Sequence, residues 1–465
     1  MAQPASIPVS SGHKPAPRRT AVPESRLSRL LTLGLMTGEI VAGVVAEGVR
    51  RFAAAPGERQ SALPISRRSA ERLAERLSHL RGAAMKLGQL LSLESDSVLP
   101  PELAEAFSIL RASAHSMPQE QLRRVLGREW GTAWEARFDS FDFEPLAAAS
   151  IGQVHRARTA DGRDLAVKVQ YPGVARSIDS DVDNVAALLR LFRFLPLGLD
   201  IAGMVAEAKR QLHQEADYLA EARHLTRYRK LVADEPRLAV PRVHSDLTTK
   251  RILAMDFASG EPLDMLAADD IPQSERDAVG KLLEGLLFRE LFEFRFMQTD
   301  PNFANYLYDR ARRRVVLLDF GSVREFSPRF VQLFRAITTA IVAGDRRKIR
   351  EHALAIGYFS PDDGADVAEA AIDVIMLVCE PLRLRGTYDF AASDLSARAR
   401  KLGLDLAFRQ GLLRAPPPET LFLHRKLAGA FLLCARIRAR VNVQSLVRKF
   451  LDKRPTPTAP SSPRR

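Results

Sequence analysis

The chain has 465 residues, 46% of them hydrophobic, with 69 Lys+Arg against 56 Asp+Glu, a formal charge of +13 and a pI of ≈ 10.0. That length holds a large core, and two cysteines (Cys379 and Cys434) in apolar helical runs read as buried thiols of a reducing compartment. Nine scattered histidines argue against a zinc site, while 7% aromatics and no zinc-finger or RNA-recognition signature make nucleic acid an unfavoured partner, behind an anionic membrane surface. An arginine bias inherited from a GC-rich genome is the plainer account of the charge.

Residues 1–24 are rich in Ala, Pro, Ser and Arg and are expected to be disordered, with no signal-peptide apolar core. Residues 25–66 hold an apolar run from Leu27 to Val49, then a linker; Gly34, Gly38, Ala42 and Ala46 recur every four residues, as in closely paired helices. Glu39 and Glu47 each cost a free-standing membrane span about 2–3 kcal/mol. A membrane-associated or helix-pairing segment and a buried core helix both stay open. Residues 67–118 read as helices broken at Pro100-Pro101 and contain Lys86-Leu87-Gly88-Gln89. Gly88 costs about 1 kcal/mol relative to Ala within a helix and suggests close backbone packing, while Lys86 and Gln89, three apart, share one side. Taken alone, the same residues fit a polar stripe on a surface helix.

Residues 119–257 read as a small antiparallel sheet with one helical insertion. Residues 145–154 form a small-residue loop in which only Gly152 is glycine; Ala147, Ala148 and Ala149 allow close backbone approach, as to a phosphate, without positive φ, so the loop is stiff. Asp161-Gly162 between residues 154–157 and 165–169 marks a hairpin turn, and the two readings are compatible. In the strand Leu165–Gln170, period two puts Ala166, Lys168 and Gln170 on one face and Leu165, Val167 and Val169 on the other. This suits an adenine roof with a phosphate-reaching ammonium, or, without its downstream context, an ordinary edge-strand lysine. Residues 211–222 carry Glu215, Asp217 and Glu221 on a helical pattern that points Glu215 and Asp217 apart while Asp217 and Glu221 share a face. Such a segment serves two directions, one acid for Lys168 and another for a second partner, unless it is only a solvated face. Residues 251–257 form a strand running into a hinge.

Residues 258–450 are expected to be mostly helical apart from the region of residues 305–321, and 451–465 to be a disordered tail. Here Asp300 precedes Asn305 by five residues, and an apolar strand from Val315 ends on Asp319-Phe320-Gly321. That spacing writes a kinase-type phosphate site: the first Asp orients a nucleophile, while the Asn and the second Asp hold the magnesium bridging the nucleotide phosphates.

Together Lys86-Leu-Gly-Gln89, Ala147-Ala-Ala-Ser150, Val167-Lys168, Glu215-Ala-Asp217, Gln298-Thr-Asp300-Pro-Asn302 with Asn305, and Asp319-Phe-Gly321 resemble the UbiB family of atypical kinase-like proteins, in the branch tied to coenzyme Q. The resemblance runs from about Arg67 to Arg448. It implies an α+β, two-lobed protein-kinase-like fold, with a small antiparallel-sheet N-lobe, a helical C-lobe and an N-terminal helical extension. ATP and Mg2+ are the implied cofactors, with ATP held by Ala147, Ala148, Ala149, Ser150, Ile151, Gly152, Val154, Lys168, Met255 and Phe257. Lys168 would contact the α/β-phosphates and pair with Glu221, Asn305 and Asp319 would bind the metal, and Asp300 would take the catalytic-base position. Lys86 and Gln89 would fold over the active site, Lys86 engaging Glu215 or Asp217 on the side a protein substrate would use. Where many relatives carry His, this chain has Gln298, which rules out acid–base work there and leaves structural support of the loop. Three functions stay open: an ATPase supporting ubiquinone biosynthesis at the membrane, beside lipid-like quinone precursors and other proteins of that pathway; a phosphotransferase acting on a lipid-like or protein hydroxyl; and a nucleotide-gated scaffold or lipid-binding module.

Overall fold

Alternation of apolar and polar side chains along residues 164–170 builds a strand whose Leu165, Val167 and Val169 are fully buried. The computed structural model describes residues 82–84, 86–87, 117–191, 201–300, 302–399, 401–402 and 418–452. The chain divides into two units, Met1–Ala216 with Thr249–Ala254, and Asp217–Thr248 with Met255–Arg465. The expectations for residues 1–24, the apolar run 27–49, the tail 453–465, Gly88 and Gln89 lie outside the described residues.

In the first unit, helix α1 (Gln119–Trp130) leads into strands β1 (Phe138–Phe141), β2 (Ala147–Ala148), β3 (Gly152–Thr159) and β4 (Asp164–Gln170). Strands β5 (Leu238–Ala239) and β6 (Ile252–Asp256) follow later in the chain, and the sheet order is β1-β3-β4-β6, with β2 paired to β3. β3 and β4 are antiparallel from Gly152↔Gln170 to Arg158↔Asp164. Gly162 closes their turn at φ 86°, where a side chain would be strained. Below the sheet His155 is buried; its Nδ1 lies 2.8 Å from the Asp142 carbonyl and its Nε2 2.7 Å from Gln153 Nε2. Burial lowers its pKa, so it sits there as a neutral ring. Helices α2 (Val174–Leu191) and α3 (Ile201–Glu215) pack on one another.

The acid-bearing segment 211–222 is not one helix. α3 ends at Glu215, and Asp217 is the N-cap of α4 (Tyr218–Leu231), its Oδ1 accepting the Ala220 N–H at 2.9 Å. A short acid side chain satisfies an orphan amide at a helix start, so the chain turns here instead of continuing. The division between the units falls at this break, and residues 217–248 group with the second unit rather than with the sheet.

The second unit contains the four-stranded sheet β5-β10-β9-β7, made of β7 (Glu261–Pro262), β9 (Tyr306–Asp309), β10 (Arg314–Leu317) and β5, which runs parallel to β10. Helix α5 (Gln273–Arg289) runs into a π-turn, Glu290–Phe294, that ends on Arg295 at φ 52° and delivers β8 (Phe296–Gln298), antiparallel to β11 (Val323–Glu325). Helices α6 (Pro328–Ala343), α7 (Arg346–Ile356) and α8 (Ala365–Val378), strand β12 (Tyr388–Asp389), helix α9 (Pro418–Arg436), strand β13 (Arg440–Val441) and helix α10 (Val443–Leu451) complete it. The unit is helical as expected, but β7, β8, β11, β12 and β13 are strands outside the one region foreseen. Two or three residues are too few for periodicity to reveal. Both cysteines are free; Cys434 is buried, whereas Cys379, at the end of α8, is partly exposed. Among the described residues no helix is long and apolar enough to cross a membrane.

Candidate active site

The second unit brings Asp300, Asn305 and Asp319 together through short, local hydrogen bonds. β10 ends at Leu317, and the Leu318 N–H donates to the Asn305 carbonyl at 3.0 Å, which seats Asn305 beside Asp319. Asn305 Nδ2 donates to the Asp300 carbonyl at 3.2 Å and reaches Asp300 Oδ2 at 3.4 Å. The Gly321 N–H donates to Asp319 Oδ1 at 2.9 Å, holding the carboxylate at the head of its turn. Phe320 is fully buried against Tyr228 of α4, ring centroids 4.5 Å apart, and its carbonyl lies 3.1 Å from His224 Nδ1. Thr299 and Ser322, both buried, tie the two strand ends: the Thr299 N–H donates to the Ser322 carbonyl at 2.9 Å.

Gln298 supports the loop, as expected of a residue that cannot do acid–base work. Its Nε2 donates to the Asp300 carbonyl at 2.9 Å and to the Asp319 carbonyl at 3.2 Å, so one amide spans the backbones of the two aspartates. Two basic residues that sequence reasoning missed come from α9, more than a hundred residues later. Arg425 Nη2 donates to Asp300 Oδ1 at 2.8 Å, with side chains 9% and 17% exposed, and Lys426 Nζ donates to Gln298 Oε1 at 3.0 Å. Neither carried a local signal, because a basic pair on an amphipathic helix reads as an exposed face.

Lys426 also lies 3.1 Å from Glu290 Oε2 in the π-turn. Burial alone would lower the ammonium pKa, but Glu290 first and then Tyr306 more than offset it, and Lys426 stays above the ordinary lysine range. Burial pushes the Glu290 carboxyl up, against the opposing pull of Lys426, the Gln298 N–H and the Tyr228 hydroxyl.

The donors suit magnesium. Asn305 commits Nδ2 to Asp300, which leaves Oδ1 as its acceptor oxygen, and with the Asp319 carboxylate it offers the all-oxygen donor set that a hard cation favours. Among the described residues no group of three or more His, Cys, Asp and Glu side chains could hold a metal. Two protein oxygens completed by phosphates and water is the arrangement magnesium commonly takes.

In the first unit, Lys86, 1% exposed, forms an ion pair with Glu215 at 2.5 Å, and Ser150 Oγ donates to the other Glu215 oxygen. Of the two acids expected for Lys86, the structure thus pairs Glu215 with it and uses Asp217 as a cap. Ala147 and Ala148 pair with Val154 and Gln153, and the Ala149 N–H donates to the Gly152 carbonyl at 2.8 Å, so the small-residue loop is the tip of a hairpin. A Cβ on Gly82 would lie 2.7 Å from the Ser150 carbonyl, so the helix carrying Lys86 approaches that tip at backbone distance. Ile151 and Gly152 are buried and Val154 is half-buried. Lys168 (7% exposed) is buried there as well; in the second unit Glu221 (1%) and Met255 (6%) are buried and Phe257 is half-buried.

An α+β fold with a small antiparallel sheet, a helical second unit and the spaced Asp300–Asn305–Asp319 trio defines a kinase-like protein. Residues 109–353 match the ABC1 atypical kinase-like domain. The chain is 40% identical over 433 residues to "Atypical kinase COQ8B, mitochondrial" of Rattus norvegicus, covering 92% of this chain and 81% of that protein. It is 36% identical over 436 residues to "Atypical kinase COQ8, mitochondrial" of Saccharomyces cerevisiae, covering 93% and 86%. A solved structure of the Rv3197–erythromycin complex from Mycobacterium tuberculosis shares the fold, with a TM-score of 0.58 at 23% identity over 89% of this chain and 98% of that one. The chain belongs to the ABC1 atypical kinase-like family, the UbiB family that its motifs resemble.

Proposed function

We propose that the protein is a magnesium-dependent, ATP-hydrolysing member of this family that supports ubiquinone biosynthesis at a membrane. The observation that carries the reading is the Asp300–Asn305–Asp319 cluster: Asn305 Nδ2 reaches the Asp300 carboxylate, the Asn305 carbonyl accepts from the Leu318 N–H next to Asp319, and the Gln298 amide joins the Asp300 and Asp319 carbonyls. A bound magnesium ion would supply charge compensation to the nucleotide phosphates. Asn305 Oδ1 and Asp319 are the protein oxygens assigned to it. Asp300, oriented by Arg425 on Oδ1 and Asn305 on Oδ2, aligns the attacking water. Lys168 is assigned to the α/β-phosphates with Glu221 as its counter-charge, residues 147–152 and Val154 to the phosphate loop, and Met255 and Phe257 to the base. Lys86 on Glu215 and Ser150, together with Gln89, is assigned to the extension that restricts the acceptor side.

The +13 charge supports an anionic membrane as the working surface, with lipid-like quinone precursors and other ubiquinone-biosynthesis proteins as partners. The rat and yeast relatives are mitochondrial by name, which supports the matrix face of the inner membrane in a eukaryote; in a bacterium the counterpart is the cytoplasmic face. Transfer to a lipid-like or protein hydroxyl is the second reading, favoured by the 17% exposure that Asp300 keeps despite its partners. Titration of the purified protein with ATP with and without Mg2+, and of Asp319→Asn, tests the site: metal-dependent binding should vanish in the variant, and its persistence would overturn the assignment. Labelled ATP then separates the two readings, free phosphate supporting hydrolysis and labelled lipid or protein supporting transfer.

A further inference from the structure

Gln298 has an amide whose orientation is forced from one side. Its Oε1 accepts from Lys426 Nζ at 3.0 Å and from the Tyr306 hydroxyl at 3.1 Å, and its backbone N–H donates to Glu290 Oε1 at 2.9 Å. The Tyr228 hydroxyl donates to the same Glu290 oxygen at 2.8 Å. Lys426, Glu290, Gln298, Tyr306 and Tyr228 are all at most 5% exposed, so water does not replace these partners. With Oε1 committed to two donors, the NH2 group faces the Asp300 and Asp319 carbonyls. A flipped amide would set NH2 against an ammonium and oxygen against two carbonyls. Burying an ion pair to orient one amide is costly in desolvation, and the amide so oriented is the one that spans the backbones of the two aspartates.

Resting on the magnesium–ATP reading above, we propose that Lys426 and Glu290 are positioning residues: acting through Gln298, they set the spacing between the backbone of Asp300 and that of Asp319. They touch neither nucleotide nor metal. Their loss should let the two carbonyls separate, weakening metal capture and misaligning Asp300 while the ATP contacts of the first unit persist.

The test uses the full chain with two variants. Lys426→Met/Glu290→Gln removes both charges together, and Gln298→Glu keeps a partner for Lys426 but replaces the donor with oxygen facing two carbonyls. In folded protein, verified by circular dichroism and cooperative melting, the Mg2+ concentration half-saturating fluorescent-ATP binding should rise about fivefold or more. The kcat for phosphate release should fall by about 10–100-fold, as misplacement of a reacting group does, with the ATP KM within about threefold. Without metal or nucleotide, hydrogen exchange in residues 298–305 and 318–322 should quicken. Glu284→Gln, on α5 and bonded to Cys434 instead of the loop, is the control and should leave the Mg2+ midpoint in place.

Should the double variant not fold, Gln298→Glu carries the test alone. A folded variant with Mg2+ midpoint and kcat within twofold of wild type overturns the inference while leaving the ATP site standing. A wild-type protein without Mg2+-dependent ATP binding removes the underlying reading and the inference with it.

Discussion

Removing Lys426 alone should cost far more stability than removing it together with Glu290. The two groups are 3.1 Å apart, with side chains 7% and 0% exposed. At an effective dielectric of about 20, opposite unit charges at that distance attract by about 5 kcal/mol, against a desolvation penalty of several kcal/mol per ion. The pair is therefore nearly balanced when complete and badly unbalanced when halved. Lys426→Met strands the buried Glu290 carboxylate and should cost about 3–5 kcal/mol, and Glu290→Gln, stranding the ammonium, a similar amount. The double variant keeps an acceptor for the Gln298 N–H and the Tyr228 hydroxyl and leaves one amide group short of a partner, at about 1–3 kcal/mol. Urea denaturation followed by circular dichroism, with a common m-value across the set, reads these differences. The single losses should exceed the double by at least about 3 kcal/mol when summed. Single losses that simply add in the double variant, or Lys426→Met costing under about 1 kcal/mol, would refute the balance described here.

Arg425→Lys keeps the charge beside Asp300 but gives up the planar fork, so phosphate release should show a kcat lower by about tenfold with Mg2+-ATP binding retained; an unchanged kcat would remove Arg425 from the orientation of Asp300. His424 stacks on Tyr358, whose hydroxyl lies 2.6 Å from its Nε2, and burial lowers its pKa from 6.5 to about 4. Below pH 6.5 the unfolded chain takes the proton first, so His424 favours folding above that pH and this stability drains away as pH falls towards 4. The loss between pH 7 and pH 5 should be about 2 kcal/mol, visible as a steeper fall in Tm than in His424→Gln; parallel curves for the two proteins would contradict it.

Local chemistry with fixed spacing is legible in the sequence. Asp300, Asn305 and Asp319 had to lie within twenty residues of one another, because one turn and one strand position them. The β3–β4 hairpin and the burial of Leu165, Val167 and Val169 followed from period two and a glycine turn, both properties of adjacent residues. Lys86 on Glu215 could be anticipated only through family resemblance, since nothing local links residues 129 apart. Arg425, Lys426 and Glu290 left no trace, because each reads alone as an ordinary charged position on a helix. Only the folded second unit, delivering α9 and the π-turn to one buried amide, makes them parts of a site. The break at Asp217 was likewise decided in three dimensions: helix propensity runs on through the segment, and a capping bond at the point where the second unit begins overrides it. Residue type and near spacing thus determine that Asp300, Asn305 and Asp319 come together, whereas long-range packing decides which groups orient them, because orientation depends on neighbours that chain order does not reveal.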